Sequence, residues 1–171
     1  MLRRLIENRI GAAERSLGVP ADYARHILRV SLRAFFKFAK IMPLANYRRK
    51  LPREPFHVAR IVATRDEDCG TCVQIEVNLA KQDGVAPAVI QAVLNSRPDE
   101  LSEDLADVYH FAEEVVTATG GEEHFRERIR SRYGEEALVE LAMTMAACRV
   151  FPITKRALGY AKSCSAVAVQ V

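Results

Sequence analysis

Two cysteines separated by two residues, Cys69 and Cys72, form the most chemically reactive pattern in the sequence. This spacing lets the two sulfurs close a small disulfide ring, and a position at the start of a helix lets backbone N–H groups stabilise a thiolate. The pattern therefore indicates reversible two-electron thiol chemistry. A buried pair of small apolar side chains and a zinc site are the alternatives. A zinc site would need two more ligands, and Cys148 and Cys164 have no recognised ligand spacing. We therefore expect Cys148 and Cys164 to be core or surface thiols. We expect neither a metal nor another cofactor.

A carboxylate and an imidazole are placed to approach these sulfurs. Glu76 lies four residues after Cys72 and therefore one turn along the same helix face. His57 lies on the preceding helix, and folding the chain back at a turn near Glu67-Asp68 brings it roughly level with Glu76. The predicted order in space is Cys72, Glu76, His57, which suits proton transfer to and from a thiol. With Cys69, these are the four candidate catalytic residues.

The charges near the motif bear on how readily a thiolate forms. A carboxylate beside the sulfur opposes the thiolate by like-charge repulsion, and the acidic run Asp66-Glu67-Asp68 acts in the same direction. A His/Glu pair nevertheless holds one shared proton in either order, so His57 and Glu76 can still act as donor and acceptor. The alternative interpretation of Glu76 is a solvated helix residue without a role.

The elements that must position these residues are all predicted to be helices. Apolar residues recur at helical spacing along most of the chain, and no stretch alternates with period two for long enough to form a strand. Without a strand before the CxxC motif, a thioredoxin fold is disfavoured. The predicted helices are an opening helix ended by Gly18-Val19-Pro20, a long helix over 21–40 closed by Pro43, and helices over 55–65, 70–82, 87–96, 101–119, 122–133 and 135–163, the last kinked or split at Pro152.

Length and composition indicate one globular domain. A chain of 171 residues can bury roughly two-thirds of the surface that it exposes when unfolded. A formal net charge of +3 is too small to argue for nucleic-acid binding. The N-terminus lacks the pattern of a secretory signal, and no stretch approaches the roughly 18 uninterrupted apolar residues of a spanning helix. We therefore expect a cytoplasmic protein without membrane association, in which cysteines are kept for reactivity more often than for structural bridges.

Two further patterns have both a packing and a functional interpretation. His110 follows Tyr109 in an apolar helical stretch, which favours a packing role over the wall of a pocket. A phenylalanine stripe with basic neighbours could lie on a membrane surface, but a helix inside a bundle also needs a wide apolar stripe, and we expect core or subunit packing. The stripe consists of Phe35, Phe36 and Phe38.

The CxxC motif and its flanking residues resemble the AhpD-like alkylhydroperoxidase and carboxymuconolactone decarboxylase superfamily. Members of that family carry a Glu twelve residues before the first cysteine and a His four residues after the second. Here the same two positions hold His57 and Glu76, with the identities exchanged. Further similarity lies in the strings NLAKQDGVAPAVIQAVL, YHFAEEVVTA and ALVELAMTMAACRVFPITKRAL. The resemblance covers residues 56–164.

The resemblance implies an all-helical bundle in which residues 1–171 form one domain, with an N-terminal helical lobe over 1–50 and an AhpD-like core over 51–165. It implies trimers or hexamers that reduce peroxides with electrons from a dithiol partner, a lipoylated protein in the best understood members. By that resemblance Cys72 attacks the oxidant and the sulfenic acid condenses with Cys69, whereas the helix dipole alone would favour Cys69. The alternatives are a non-catalytic redox-sensing or partner-binding oligomer and a decarboxylase-like enzyme.

Overall fold

The computed structural model describes residues 1–161 and 170–171, and over this part of the chain the fold is all-helical, as predicted. No strand occurs among the described residues. The helices, in chain order, are α1 Leu2–Leu17, α2 Asp22–Val30, α3 Leu32–Ala39, α4 Ile41–Ala45, α5 Arg53–Arg65, α6 Gly70–Gln82, α7 Pro87–Leu94, α8 Glu103–Thr117, α9 Glu122–Tyr133 and α10 Glu135–Ala157, with a 3-10 turn at Pro98–Glu100 between α7 and α8.

Helix α5 is the centre of the main core. It packs against α6, α7, α8 and α10, and every residue from Pro55 to Thr64 is buried. A helix covered on all sides is apolar around most of its circumference, which fits the run of alanine, valine and isoleucine in this segment. Three polar side chains are buried within it, Thr64 and the two titratable residues His57 and Arg60, and a buried charged group needs a partner inside the protein.

The first helices form a smaller apolar cluster of their own. Ile6, Ile10 and Leu28 are buried together, away from the main core. A side chain of α6 binds the end of α1, because Asn78 donates to the carbonyl of Leu17 at 2.6 Å. Helix α1 thus packs against α6, and α4 packs against α10.

The segment after α4 is anchored by one carboxylate from α10. Glu140 is 1% exposed, and its two oxygens accept the backbone N–H groups of Arg49, Lys50 and Leu51 at 2.9 to 3.1 Å. Burial alone would raise the pKa of Glu140, but these donors outweigh it and lower the pKa. A charged group thus holds the entrance to α5 in place.

Several predicted helix limits differ from the observed ones, among them the end of α10, which lies at Ala157 instead of residue 163. The helix predicted over 21–40 is divided at Ser31, which has extended backbone angles and caps α3 by accepting the N–H of Ala34 at 3.1 Å. Pro43 does not close that helix but lies in the first turn of α4, where the missing N–H has no intrahelical partner to lose. Helix α10 continues through Pro152 without being split.

Helix α10 is the one described helix that is long and apolar enough to cross a membrane by length and composition. Its apolar residues are interrupted by polar ones, so the helix contains no continuous apolar run of spanning length. Half of the most apolar stretch is buried within the structure, which is the usual situation of a core helix in a bundle.

Candidate active site

Cys69 and Cys72 form a disulfide where the turn after α5 meets the start of α6, with their Cα atoms 5.2 Å apart. Cys69 is the N-cap residue of α6, and its carbonyl accepts the N–H groups of Cys72 and Val73 at 2.8 and 3.0 Å. Cys69 is 0% exposed and Cys72 4%. The motif thus begins a helix, as predicted, and lies beneath the surface.

The acidic turn before the motif is bound by arginines from α10. Arg149 donates to the Glu67 carboxylate at 2.6 Å and lies 3.3 Å from the Asp66 carboxylate. Arg156 donates to the backbone carbonyl of Glu67. These cations offset the negative charge that the sequence analysis expected to oppose a thiolate, and they fix the turn that carries Cys69.

A cavity of about 230 Å³ borders the disulfide. Helices α1 to α4 cover it from one side, and α5, α6 and α10 form the other. Its lining is mainly apolar, and Cys72, but not Cys69, contributes to the wall. The polar groups that share this wall include Arg60, Thr64, Glu76, Cys148 and Lys155. A molecule in the cavity would therefore contact Cys72.

Glu76 is paired with Arg60, a partner that the sequence analysis missed. Arg60 donates to the two carboxylate oxygens at 2.6 and 3.1 Å, and the two side chains are 3% and 6% exposed. Arg60 also donates to the carbonyl of Ala45 at 2.6 Å and to Asn46 at 3.0 Å, and it lies over the ring of Phe56. Glu76 is therefore buried and paired, which excludes the interpretation as a solvated helix residue.

His57 binds a different carboxylate. Its Nε2 lies 3.2 Å from Asp83, which also pairs with Arg48 at 2.8 Å, and both line a separate cleft at the other end of α6. Burial and the nearby Arg60 charge lower the pKa of His57, and Asp83 counters them only in part. The predicted line of Cys72, Glu76 and His57 is thus interrupted, because Arg60, three residues after His57, occupies the position beside Glu76.

Lys155 is a second polar group at the motif that the sequence analysis missed. It is 4% exposed, and its Nζ donates to Thr71 Oγ1 at 2.6 Å, between the two cysteines. Burial lowers the pKa of Lys155, and Asp22 opposes the shift. No local sequence pattern marks this contact, because it joins residues 84 positions apart.

Of the other residues singled out from the sequence, Cys148 is a buried free thiol, and burial raises its pKa to about 12. His110 stacks on Phe125 with the ring centres 5.2 Å apart, which confirms a packing role. Phe38 packs against Phe151, whereas Phe36 is 45% exposed. Cys164 lies outside the described residues.

No protein-family model, curated protein or solved structure matches this chain. Nor does any group of three or more histidine, cysteine, aspartate or glutamate side chains within residues 1–161 and 170–171 have a geometry that could hold a metal ion. The disulfide, the cavity and the charged groups around them are therefore the features that bear on function.

Proposed function

We propose that the protein is a dithiol–disulfide oxidoreductase that reduces peroxides, in the manner of the AhpD-like proteins that its sequence resembles. The observation that supports this proposal is that one cysteine of the disulfide, Cys72, lies in the wall of a partly enclosed, mainly apolar cavity. A structural bridge needs no such access. A redox pair needs one sulfur within reach of a substrate and the other within reach of the first.

In the oxidative half of the proposed cycle, the Cys72 thiolate attacks a peroxide oxygen. The O–O bond breaks, the sulfur becomes a sulfenic acid, and the alcohol or water leaves with one proton. The thiolate of Cys69 then attacks the Cys72 sulfur, forms the disulfide and releases the sulfenic oxygen as water. Glu76, on the same cavity wall, is the proposed acceptor of the Cys72 proton.

In the reductive half, an external dithiol restores the two thiols and is itself oxidised to a disulfide. A dithiol protein, lipoylated in the family that the chain resembles, is the proposed reductant. We further propose a cytoplasmic protein that assembles as trimers or hexamers. In a reducing compartment the Cys69–Cys72 bond would be opened continually, as turnover requires.

The test is peroxide consumption by the full chain with a panel of dithiols that includes dihydrolipoamide, dihydrolipoyl protein and thioredoxin. We expect turnover with at least one of them, and loss of turnover in both Cys69→Ser and Cys72→Ser. In Cys69→Ser the attacking sulfur should still be trapped as a sulfenic acid. Trapping in Cys72→Ser instead would reverse the assignment, and unchanged peroxide turnover without either cysteine would refute the proposal.

A second candidate is a redox-sensing oligomer without turnover. The observation in its favour is the Arg60–Glu76 ion pair, which occupies the carboxylate that the peroxidase mechanism uses as a base. This alternative predicts that reduction of the disulfide changes the oligomeric state, as measured by light scattering, while peroxide is not consumed with any dithiol. A Cys72 pKa at or above the ordinary value of about 8.5 would agree with it.

A further inference from the structure

Lys155 is a buried cation whose partner in the oxidised protein is neutral. Its ammonium donates to the hydroxyl of Thr71 and lies 5.6 Å from the ring centre of Tyr23. Among the described residues, none of its contacts is an ion pair with a carboxylate. Because burying an ammonium without a counter-charge is costly, this arrangement would be stabilised by an anion that forms nearby.

Thr71 connects this cation to the motif. Its hydroxyl oxygen accepts from Lys155 and lies 3.6 Å from Cys69 Sγ. The hydroxyl hydrogen remains free to point at that sulfur. A thiolate is a much better acceptor than a disulfide sulfur, so this hydrogen bond should strengthen when the Cys69–Cys72 bond opens.

We propose that Lys155, acting through the hydroxyl of Thr71, is a positioning residue that stabilises the thiolate of Cys69 whenever the disulfide opens. This inference rests on the proposed function and assigns the two sulfurs different tasks. Cys72 meets the substrate from the cavity, and Cys69 serves as the leaving thiolate during reduction and as the resolving thiolate during oxidation.

An external dithiol reduces the disulfide in two steps. One thiolate of the external dithiol attacks Cys72 Sγ, the Cys69–Cys72 bond breaks, and its electron pair passes to Cys69, which leaves as a thiolate beside Thr71. The second thiol of the reductant then displaces Cys72 from the mixed disulfide. The two electrons come from the dithiol, one of its protons protonates Cys72, and the other goes to solvent.

The other cations near this site already bind carboxylates or backbone carbonyls. Arg149 and Arg156 bind the acidic turn before Cys69, and Arg60 is paired with Glu76. Asp22, on α2, acts on Lys155 through space but is 66% exposed and therefore screened by solvent. Of these cations, Lys155 is the one that is hydrogen-bonded to the CxxC motif.

The test measures the acidity of Cys69 alone, by ultraviolet absorbance of the thiolate in a Cys72→Ser, Cys164→Ser background. The remaining thiol, Cys148, has a pKa of about 12 and does not interfere. We expect Lys155→Met and Thr71→Val each to lower the acid dissociation constant of Cys69 about tenfold, the size expected of one lost charge-assisted hydrogen bond. Thr71→Ser should retain the original value, as should Lys81→Met, which removes an exposed lysine at the far end of α6.

The second readout is the midpoint potential of the Cys69–Cys72 couple in otherwise intact protein, set against a glutathione buffer. At a pH high enough for Cys69 to be ionised in the reduced protein, loss of thiolate stabilisation should make the potential more negative by about 30 mV, which corresponds to a tenfold change in the exchange constant. Unchanged acidity and potential in both Thr71→Val and folded Lys155→Met would overturn the inference. A wild-type disulfide that dithiols cannot reduce would instead overturn the proposed function.

Discussion

Removing one partner of the Arg60–Glu76 pair should destabilise the protein far more than removing both. In Arg60→Met the Glu76 carboxylate stays buried at a site that was 6% exposed, with no cation in contact. An uncompensated buried charge of this kind costs about 3–5 kcal/mol, a large part of the roughly 5–15 kcal/mol that holds a domain folded.

The double variant Arg60→Met, Glu76→Leu removes the stranded charge. What remains is the loss of the hydrogen bonds that Arg60 makes to Ala45 and Asn46. Ala45 still accepts from Thr144 at 2.7 Å, so this loss should cost about 1–2 kcal/mol. The double variant is thus expected to be more stable than Arg60→Met by about 2 kcal/mol, the difference between these two costs.

Urea unfolding of the two single variants and the double variant gives the coupling energy directly. The matched control is the exposed pair Arg97 and Glu100, whose side chains are 53% and 43% exposed at a similar distance of 2.6 Å. Its coupling should stay below about 1 kcal/mol. A cost below about 1 kcal/mol for Arg60→Met, or additivity in the double variant, would refute the reasoning.

Three other perturbations test separate contacts by urea unfolding. The pKa of His57 lies below its ordinary value of 6.5 in the folded protein. The stability that His57 contributes is therefore present above pH 6.5 and is lost as the pH falls through the folded pKa. His57→Gln should flatten this dependence of the unfolding free energy on pH, and an unchanged dependence would contradict the reasoning. Glu140→Gln weakens the binding of residues 49–51 and should lower the free energy of unfolding by about 1–3 kcal/mol. An unchanged free energy of unfolding would mean that this loop is stable without the Glu140 carboxylate. Ser31→Ala should cost about 1 kcal/mol, and Ser31→Asp should restore it.

Most helix limits could be predicted because they depend on local chemistry. Gly18 ends α1 with left-handed backbone angles, and α6 spans the predicted residues 70–82. Ser31 was missed because its apolar neighbours continue at helical spacing, and only the geometry shows that its hydroxyl caps a new helix.

The candidate site could be predicted only in part. Chain spacing placed Glu76 one turn after Cys72, which is a property of a single helix. The partners of charged groups depend on how helices pack, and Lys155 lies 84 residues from Thr71. The sequence of α5 offers both His57 and Arg60 as partners for the Glu76 carboxylate. The packing of α5 against α6 determines that Arg60 is the one that binds it.

The contacts of α10 give this helix a further property. Glu140, Thr144, Cys148 and Lys155 follow one another at intervals of four or seven residues and therefore lie on one side of it. On that side, α10 binds the loop after α4 and the last carbonyl of α4, lines the cavity and donates a hydrogen bond to the CxxC motif. Partial detachment of α10 would break all of these contacts together, so we expect its central amides to exchange with deuterium only through global unfolding. The Cys69–Cys72 disulfide would then share the cooperativity of the whole fold, and local opening of the structure would not expose it to reductants that cannot enter the cavity.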